Sequence, residues 1–224
     1  ESNDLIATIS KLTDDIVEEV APEVPRIRIP HTTNTAVMKK LPEEQVKEFR
    51  RNNKLAYKKN GEEKFIFFWN NRNARRKQSG TLAWWFSDFL DRIGRDNACL
   101  VMHTEPKDPN GQDLEAIMVE RNMTDGEMML SVAKVSLPEL ALLYNVADCT
   151  INIADAEGFG LGTLESLSCE TPIVVTMTGG LQEQVTDGND NWFGIGIEPS
   201  SKSIIGSQDV PWIYEDRIDK EDFL

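Results

Sequence analysis

The sequence predicts an α/β fold: a doubly wound parallel sheet preceded by a short N-terminal segment of different character. Three observations predict it. From Phe65 onward, strand candidates alternate strictly with helix candidates. The strand candidates are near-continuous apolar runs, such as Phe65-Ile66-Phe67-Phe68-Trp69 and Ile173-Val174-Val175. Strands of that composition are covered on both faces, as in parallel sheets. Charged and glycine-rich segments follow the strand candidates, which is where ligands bind in an open parallel sheet. Strict βα alternation then implies right-handed crossovers with helices on both faces.

The elements follow in order. Leu5 to Ile9 reads as a strand, Thr13 to Val20 as an acidic helix capped by Thr13, and Arg26 to His31 as another short strand. Pro42 to Tyr57 is an amphipathic helix that opens the main domain, which divides the chain into 1–41 and 42–224. Strands are then expected at Phe65–Trp69, Ala98–His103, Met128–Val132, Thr150–Ile153, Ile173–Thr176 and Phe193–Ile197. Helices are expected between them at Thr81–Ile93, Leu114–Asn122, Pro138–Val146, Leu161–Cys169 and Leu181–Thr186. Asp187-Gly188-Asn189-Asp190 is a turn, and the last five residues, Lys220 to Leu224, look like the start of a helix. The pattern contains no internal repeat and no low-complexity tract.

Composition bounds the function. A chain 40% hydrophobic and 28% charged reads as globular and soluble. Its longest apolar runs are a few residues, too short to cross a bilayer. The net charge of −14 argues against nonspecific binding to nucleic acid or to an anionic membrane. Cys99, Cys149 and Cys169 are an odd set without CxxC spacing, which suggests reduced, buried thiols and a cytoplasmic setting. His31 and His103 have no Cys, His or Asp cluster at metal-ligand spacing, so no metal site and no cofactor are expected.

The chemistry concentrates between Glu157 and Glu165. The run Glu157-Gly158-Phe159-Gly160-Leu161-Gly162-Thr163-Leu164-Glu165 sets two carboxylates eight residues apart around a glycine-rich turn. An apolar strand candidate precedes it and a helix candidate follows. The first N–H groups of a helix lack internal partners and carry partial positive charge, so a strand, a glycine turn and a helix start form a ready anion site. Carboxylates do not bind phosphate; they suit hydroxyls, such as those of a sugar and a ribose on either side of a diphosphate.

This arrangement resembles the E-x7-E motif of retaining GT-B glycosyltransferases, in particular family 4. Two further stretches, in the right order, carry the same resemblance. Phe65 to Trp69 is followed by Asn71-Arg72-Asn73-Ala74-Arg75-Arg76-Lys77, similar to that family's strand followed by an Arg and a Lys five residues apart. Thr171-Pro172-Ile173-Val174-Val175-Thr176 leads to Thr178-Gly179-Gly180-Leu181-Gln182-Glu183, similar to its "GTPVV…GG…E" segment. The resemblance spans roughly Arg26 to Gly196; the last 28 residues fit it poorly.

The resemblance implies a Rossmann-like, GT-B C-terminal domain that binds a nucleotide-diphospho-sugar and passes the sugar to an acceptor. It also implies that residues 1–41 are the remnant of an N-terminal acceptor domain plus a linker, with most of that domain absent from this chain. Arg72 and Lys77 would clamp the departing diphosphate, with Arg76 crowding the same segment. Glu157 would contact the sugar's hydroxyls and Glu165 the ribose. The backbone of Gly158, Phe159, Gly160, Leu161, Gly162 and Gly180 would meet sugar and diphosphate. The loop Ser131 to Ser136 would face the base, while Tyr144 reads as core and His31 as a hinge residue. Gln78 stands where that family usually has Gly, so the local turn departs from the pattern. Exposed apolar residues in the N-terminal unit, Leu5, Ile6, Ile9 and Ile27, are expected to pack on the main domain or on a second copy of the chain.

Two alternatives stay open on sequence. One is a nucleotide-sugar-binding module without turnover of its own. The other is a different GT-B enzyme, an epimerase or a phosphorylase. Against these, the glutamate pair does not suit an epimerase, and no lysine suited to pyridoxal phosphate stands out. Base, sugar and acceptor are not legible.

Overall fold

A computed structural model describes residues 4–224. Strand β1 (Ile6–Thr8), helix α1 (Lys11–Val20) and strand β2 (Arg26–Arg28) form a small parallel βαβ unit. Among the described residues, its two strands pair only with each other. Helix α1 begins earlier than the sequence suggests, because Ser10 rather than Thr13 is its cap: the Ser10 hydroxyl accepts from the Thr13 N–H at 3.2 Å. The Glu183 carboxylate accepts from the Lys11 and Leu12 N–H groups, both at 2.9 Å. A carboxylate at a helix N-terminus is favoured by the helix dipole, so this bond pair seats the unit on the main domain. Leu5, Ile27 and Ile29 stay exposed.

Helix α2 (Glu43–Asn52) is shorter than its amphipathic pattern. The physical reason is Arg50. Its buried guanidinium donates to the Leu55 carbonyl at 3.2 Å and to the Ala56 carbonyl at 3.0 Å, which requires the chain to turn back there. Lys54 and Ala56 accordingly take positive φ.

Then come β3 (Phe65–Asn70), α3 (Ser79–Ile93), β4 (Ala98–His103), α4 (Leu114–Glu120), β5 (Met128–Ser131), α5 (Leu137–Val146), β6 (Cys149–Asn152), α6 (Leu161–Ser168), β7 (Ile173–Thr176), α7 (Gln182–Val185) and β8 (Gly194–Ile197). The six strands from β3 to β8 form one sheet in the order β5-β4-β3-β6-β7-β8, with every pair parallel. The chain therefore winds outward one way from β3 and the other way from β6. The switch point lies between these two central strands, where an open α/β sheet leaves its crevice.

The apolar runs are explained by cover on both faces. On β3, Ile66 and Phe68 join Val101, Ala141 and Tyr144 under α5, while Trp69 joins Leu82, Phe86, Leu100 and Met102 under α3. All three cysteines are free and buried. Burial pushes the Cys99 and Cys149 thiols up to about 12 and Cys169 to about 11, so none ionises readily.

Ahead of the expected terminal helix, the chain folds in a way the sequence pattern does not suggest. Strands β9 (Ser201–Ile204) and β10 (Tyr214–Arg217) form an antiparallel hairpin apart from the main sheet. Helix α8 (Lys220–Phe223) follows, capped by Asp219, and Phe223 packs against Trp85. Trp84, its neighbour in the chain, is partly exposed beneath the Arg121 guanidinium.

Candidate functional site

The switch point places the segment after β3 beside the segment after β6. After β3 the chain runs through Arg72 into a 3-10 turn, Arg75–Lys77. After β6 it runs through Asp155 and Glu157 into the glycine turn and α6. The two segments are stitched by backbone: the Asp155 N–H donates to the Arg76 carbonyl at 2.9 Å. Across this seam the Lys77 ammonium donates to the Glu157 carboxylate in a close ion pair. Their side chains are only 9% and 12% exposed, so this pair is largely withdrawn from water. Burial pulls the Lys77 ammonium below its ordinary value, and Glu157 works against that fall.

Arg76 donates to the Ala156 carbonyl at 2.8 Å and lies 3.8 Å from the Glu157 carboxylate. Arg72 takes a different partner. Its guanidinium donates two bonds, at 2.7 and 3.2 Å, to Asp108 on the loop after β4. That contact holds the Asp108 carboxyl well below the usual carboxylate range. Thus the structure joins Lys77 to Glu157 directly, while Arg72, on the same segment, is exposed and paired with an acid of the neighbouring loop.

The glycine turn owes its shape to close backbone approach. The Gly180 N–H donates to the Glu157 carbonyl at 3.0 Å. A Cβ at Gly180 would lie 2.7 Å from both the Gly158 carbonyl oxygen and the Phe159 Cα. At Gly179, with φ +50°, it would lie 1.8 Å from the Glu157 carbonyl oxygen. The turn after β7 and the turn after β6 therefore interlock only because these positions lack side chains. The Gln184 side-chain amide fixes the same loop, donating to the Phe159 and Gly160 carbonyls at 2.5 and 3.1 Å. His31 meets the Phe159 ring edge-on at 5.1 Å, a packing contact from the chain between β2 and α2. Gly160, Leu161 and Gly162 form the start of α6.

Glu165 lies one turn into α6 and is half-buried. Tyr144 donates its hydroxyl to the Glu165 carboxylate at 2.8 Å, and Asn70, the last residue of β3, donates to the Tyr144 oxygen at 2.8 Å. Burial raises the Glu165 carboxyl above its ordinary value, and the Tyr144 bond opposes that rise. Tyr144 is core by its ring and site by its hydroxyl. The signal that finds it is physical: a buried tyrosine hydroxyl needs a partner.

Gln78 also gains a role from the structure. It adopts φ +55° and ψ 31°, the left-handed region that glycine enters without cost. Its amide compensates at both ends, donating to Asp155 at 2.5 Å and accepting from the Thr81 hydroxyl at 2.5 Å. His103 ends β4 with Nδ1 at 2.9 Å from the Ser131 hydroxyl, and burial lowers its pKa. A cleft of about 820 Å³ opens beside Glu157, walled by Leu12 and Ile16 of α1, by Met177 and Gln182, and by Lys202 and Tyr214 of the hairpin. Among the described residues, no three His, Cys, Asp or Glu side chains lie close enough together to hold a metal ion, and no helix is long and apolar enough to cross a membrane.

Known proteins share sequence and fold with this chain. The profile of the family described as Glycosyl transferases group 1 matches residues 126–206. D-inositol 3-phosphate glycosyltransferase of Paenarthrobacter aurescens is 39% identical over 66 residues, which cover 30% of this chain and 16% of that protein. Among solved structures, sucrose-phosphate synthase from Thermosynechococcus elongatus superposes with a TM-score of 0.70 at 22% identity, over 90% of this chain and 47% of that one. Anabaena HepE in complex with UDP and glucose superposes with a TM-score of 0.68 at 14% identity, over 88% of this chain and 50% of that one. The chain thus spans about half the length of these structures and a smaller part of the curated relative. Residues 126–206, which hold Glu157, Glu165 and the Gly179-Gly180 turn, match the glycosyl transferases group 1 profile, and the six-stranded sheet that carries them shares the Rossmann-like α/β fold of these solved structures.

Proposed function

We propose that this chain is the donor-binding half of a retaining glycosyltransferase that uses a nucleotide-diphospho-sugar. The observation that carries the reading is the Lys77–Glu157 pair at the switch point, directly before the N-terminus of α6. Lys77 is a basic side chain held against a carboxylate in a largely dry place, and Glu157 leads into a helix start whose first N–H groups have no partner within the helix. An incoming diphosphate would find both. Glu157 would then turn to the sugar's hydroxyls, and Glu165, steadied by Tyr144, would accept from the ribose. The solved complex of HepE with UDP and glucose supports the ligand class.

In sugar transfer the leaving group is a nucleoside diphosphate, and the anomeric carbon gains oxocarbenium character. Positive charge fixed on the departing phosphate stabilises the transition state more than the ground state. Lys77, Arg72, Arg76 and the α6 dipole would supply that charge without a resident metal. Arg72 would exchange Asp108 for phosphate, a change its exposure permits. The acceptor would approach through the cleft beside Glu157. A thermal-shift panel of UDP-, GDP- and ADP-sugars tests the reading: at least one should raise the melting temperature in the presence of EDTA. If none does at millimolar concentration, the reading fails.

A further inference from the structure

The second strand of the hairpin, β10, lies beyond residues 126–206, which match the family profile, yet it is bound into the site. The Glu215 carboxylate accepts both arms of the Arg75 guanidinium fork, at 2.8 and 2.8 Å, and is itself 4% exposed. Arg217 donates to Glu215 at 3.1 Å and pairs with Asp155 at 2.9 Å. The Asp216 N–H donates to the Asp155 carbonyl at 3.0 Å, and the Thr178 hydroxyl donates to the Asp216 carboxylate at 2.6 Å. One short strand therefore grips the segments after β3, β6 and β7, three neighbours in the sheet. These are the segments that hold Lys77, Glu157 and the Gly179-Gly180 turn.

The grip is directional. A bidentate Arg–carboxylate pair fixes orientation as well as distance. Arg75 opens the 3-10 turn that ends at Lys77, so the Glu215 fork sets the pose of that turn. Asp155 closes its other end, because the same carboxylate that Arg217 pairs with accepts from Gln78 and so holds Gln78 in the left-handed region. Gln78 joins the turn to α3. The turn is held at both ends by β10, and neither holding contact uses a group assigned to the donor.

We propose that β10 is a positioning element of the donor site: Glu215 through Arg75, and Arg217 through Asp155, orient the Arg75–Lys77 turn so that Lys77 meets the donor's outer phosphate. This rests on the donor-binding reading above. Glu215 and Arg217 touch no substrate in this account; they act through the turn. The consequence is selective. Misplacing Lys77 weakens contact with the phosphate beyond the first, and leaves the ribose contact at Glu165 and the helix start untouched.

Calorimetry of the full chain with UDP, GDP and ADP, and with the matching monophosphates, tests this in two variants. Glu215→Gln keeps the shape but cannot accept the full fork. Arg75→Lys keeps the charge but loses the fork, and serves if Glu215→Gln does not fold. Trp212→Ala, at an exposed hairpin position, is the control. Diphosphate affinity is expected to fall about tenfold in either variant, with monophosphate affinity within about twofold of the parent and the control unchanged. Equal losses for mono- and diphosphate would show a structural role only and overturn the proposal, as would no loss at all. A parent chain that binds none of the diphosphates would overturn the donor-binding reading itself.

Discussion

Tyr144 donates its hydroxyl to the Glu165 carboxylate at 2.8 Å from a ring with no exposed surface. The bond crosses from α5 to α6, and Asn70 extends it to the end of β3. It ties the core to the residue proposed to read the ribose. Tyr144→Phe keeps the packing but removes the donor to Glu165 and the acceptor for Asn70. The variant should lose about 1 kcal/mol of stability, measured by urea unfolding. The Glu165 carboxyl should titrate higher than in the parent, because the opposing bond is gone; carbon-detected NMR titration reads that shift directly.

The raised Glu165 carboxyl has a consequence for stability against pH. A carboxyl whose folded value lies above its unfolded one contributes stability that is fully present below the ordinary carboxylate range and is lost as pH rises through the folded value. Glu165→Gln removes that loss while keeping an oxygen for Tyr144. The variant should therefore be more stable than the parent at pH 7, with the advantage shrinking as pH falls below the ordinary carboxylate range. Denaturant midpoints of both proteins at pH 7 and at lower pH check the sign; an advantage that grows in acid would contradict it.

The Lys77–Glu157 pair should behave as a coupled unit. Lys77→Met leaves a largely buried carboxylate with only Arg76 nearby, and should cost about 2 kcal/mol. Adding Glu157→Gln removes the stranded charge, so the double variant should recover part of that loss. A double-mutant cycle by chemical denaturation measures the coupling. Additive losses would mean that the two groups do not interact in solution.

Gly180→Ala should distort the site without touching a charge. The added carbon meets the Gly158 carbonyl oxygen and the Phe159 Cα, both backbone-side atoms that move only with the loop. A loss of about 1–3 kcal/mol is expected, together with weaker nucleotide binding. Gly61→Ala is the contrast: its Cβ would meet nothing within 4 Å, and only its φ of +88° resists the change. It should leave nucleotide binding unaltered.

Much of this molecule is legible in its sequence, and the reasons are physical. The six parallel strands announce themselves because both faces of the sheet are covered, so Ile66, Phe68 and Trp69 are all apolar. Lys77 and Glu157 are legible because each follows a strand end at the switch point, where topology alone brings them together. Boundaries move where side chains override local pattern: Arg50 ends α2 by recruiting carbonyls beyond it, and Ser10 starts α1 earlier than Thr13. The hairpin and its contacts are not legible. Arg75 and Glu215 are 140 residues apart, and nothing in the local composition around Glu215 marks it for burial. Tyr144 lies between the two cases, since a tyrosine among apolar neighbours signals core and says nothing of where its hydroxyl points.

The most direct test of the central claim is isothermal titration of UDP, GDP and ADP into the parent chain and into Glu165→Ala, with EDTA present. The parent should bind at least one of the three. The variant should bind it about ten- to a hundredfold more weakly, since charge-assisted hydrogen bonds to the ribose are worth roughly 1.5–3 kcal/mol. Equal affinity in parent and variant would contradict the assignment of Glu165 to the ribose, and a parent that binds none of the three would contradict the donor site altogether.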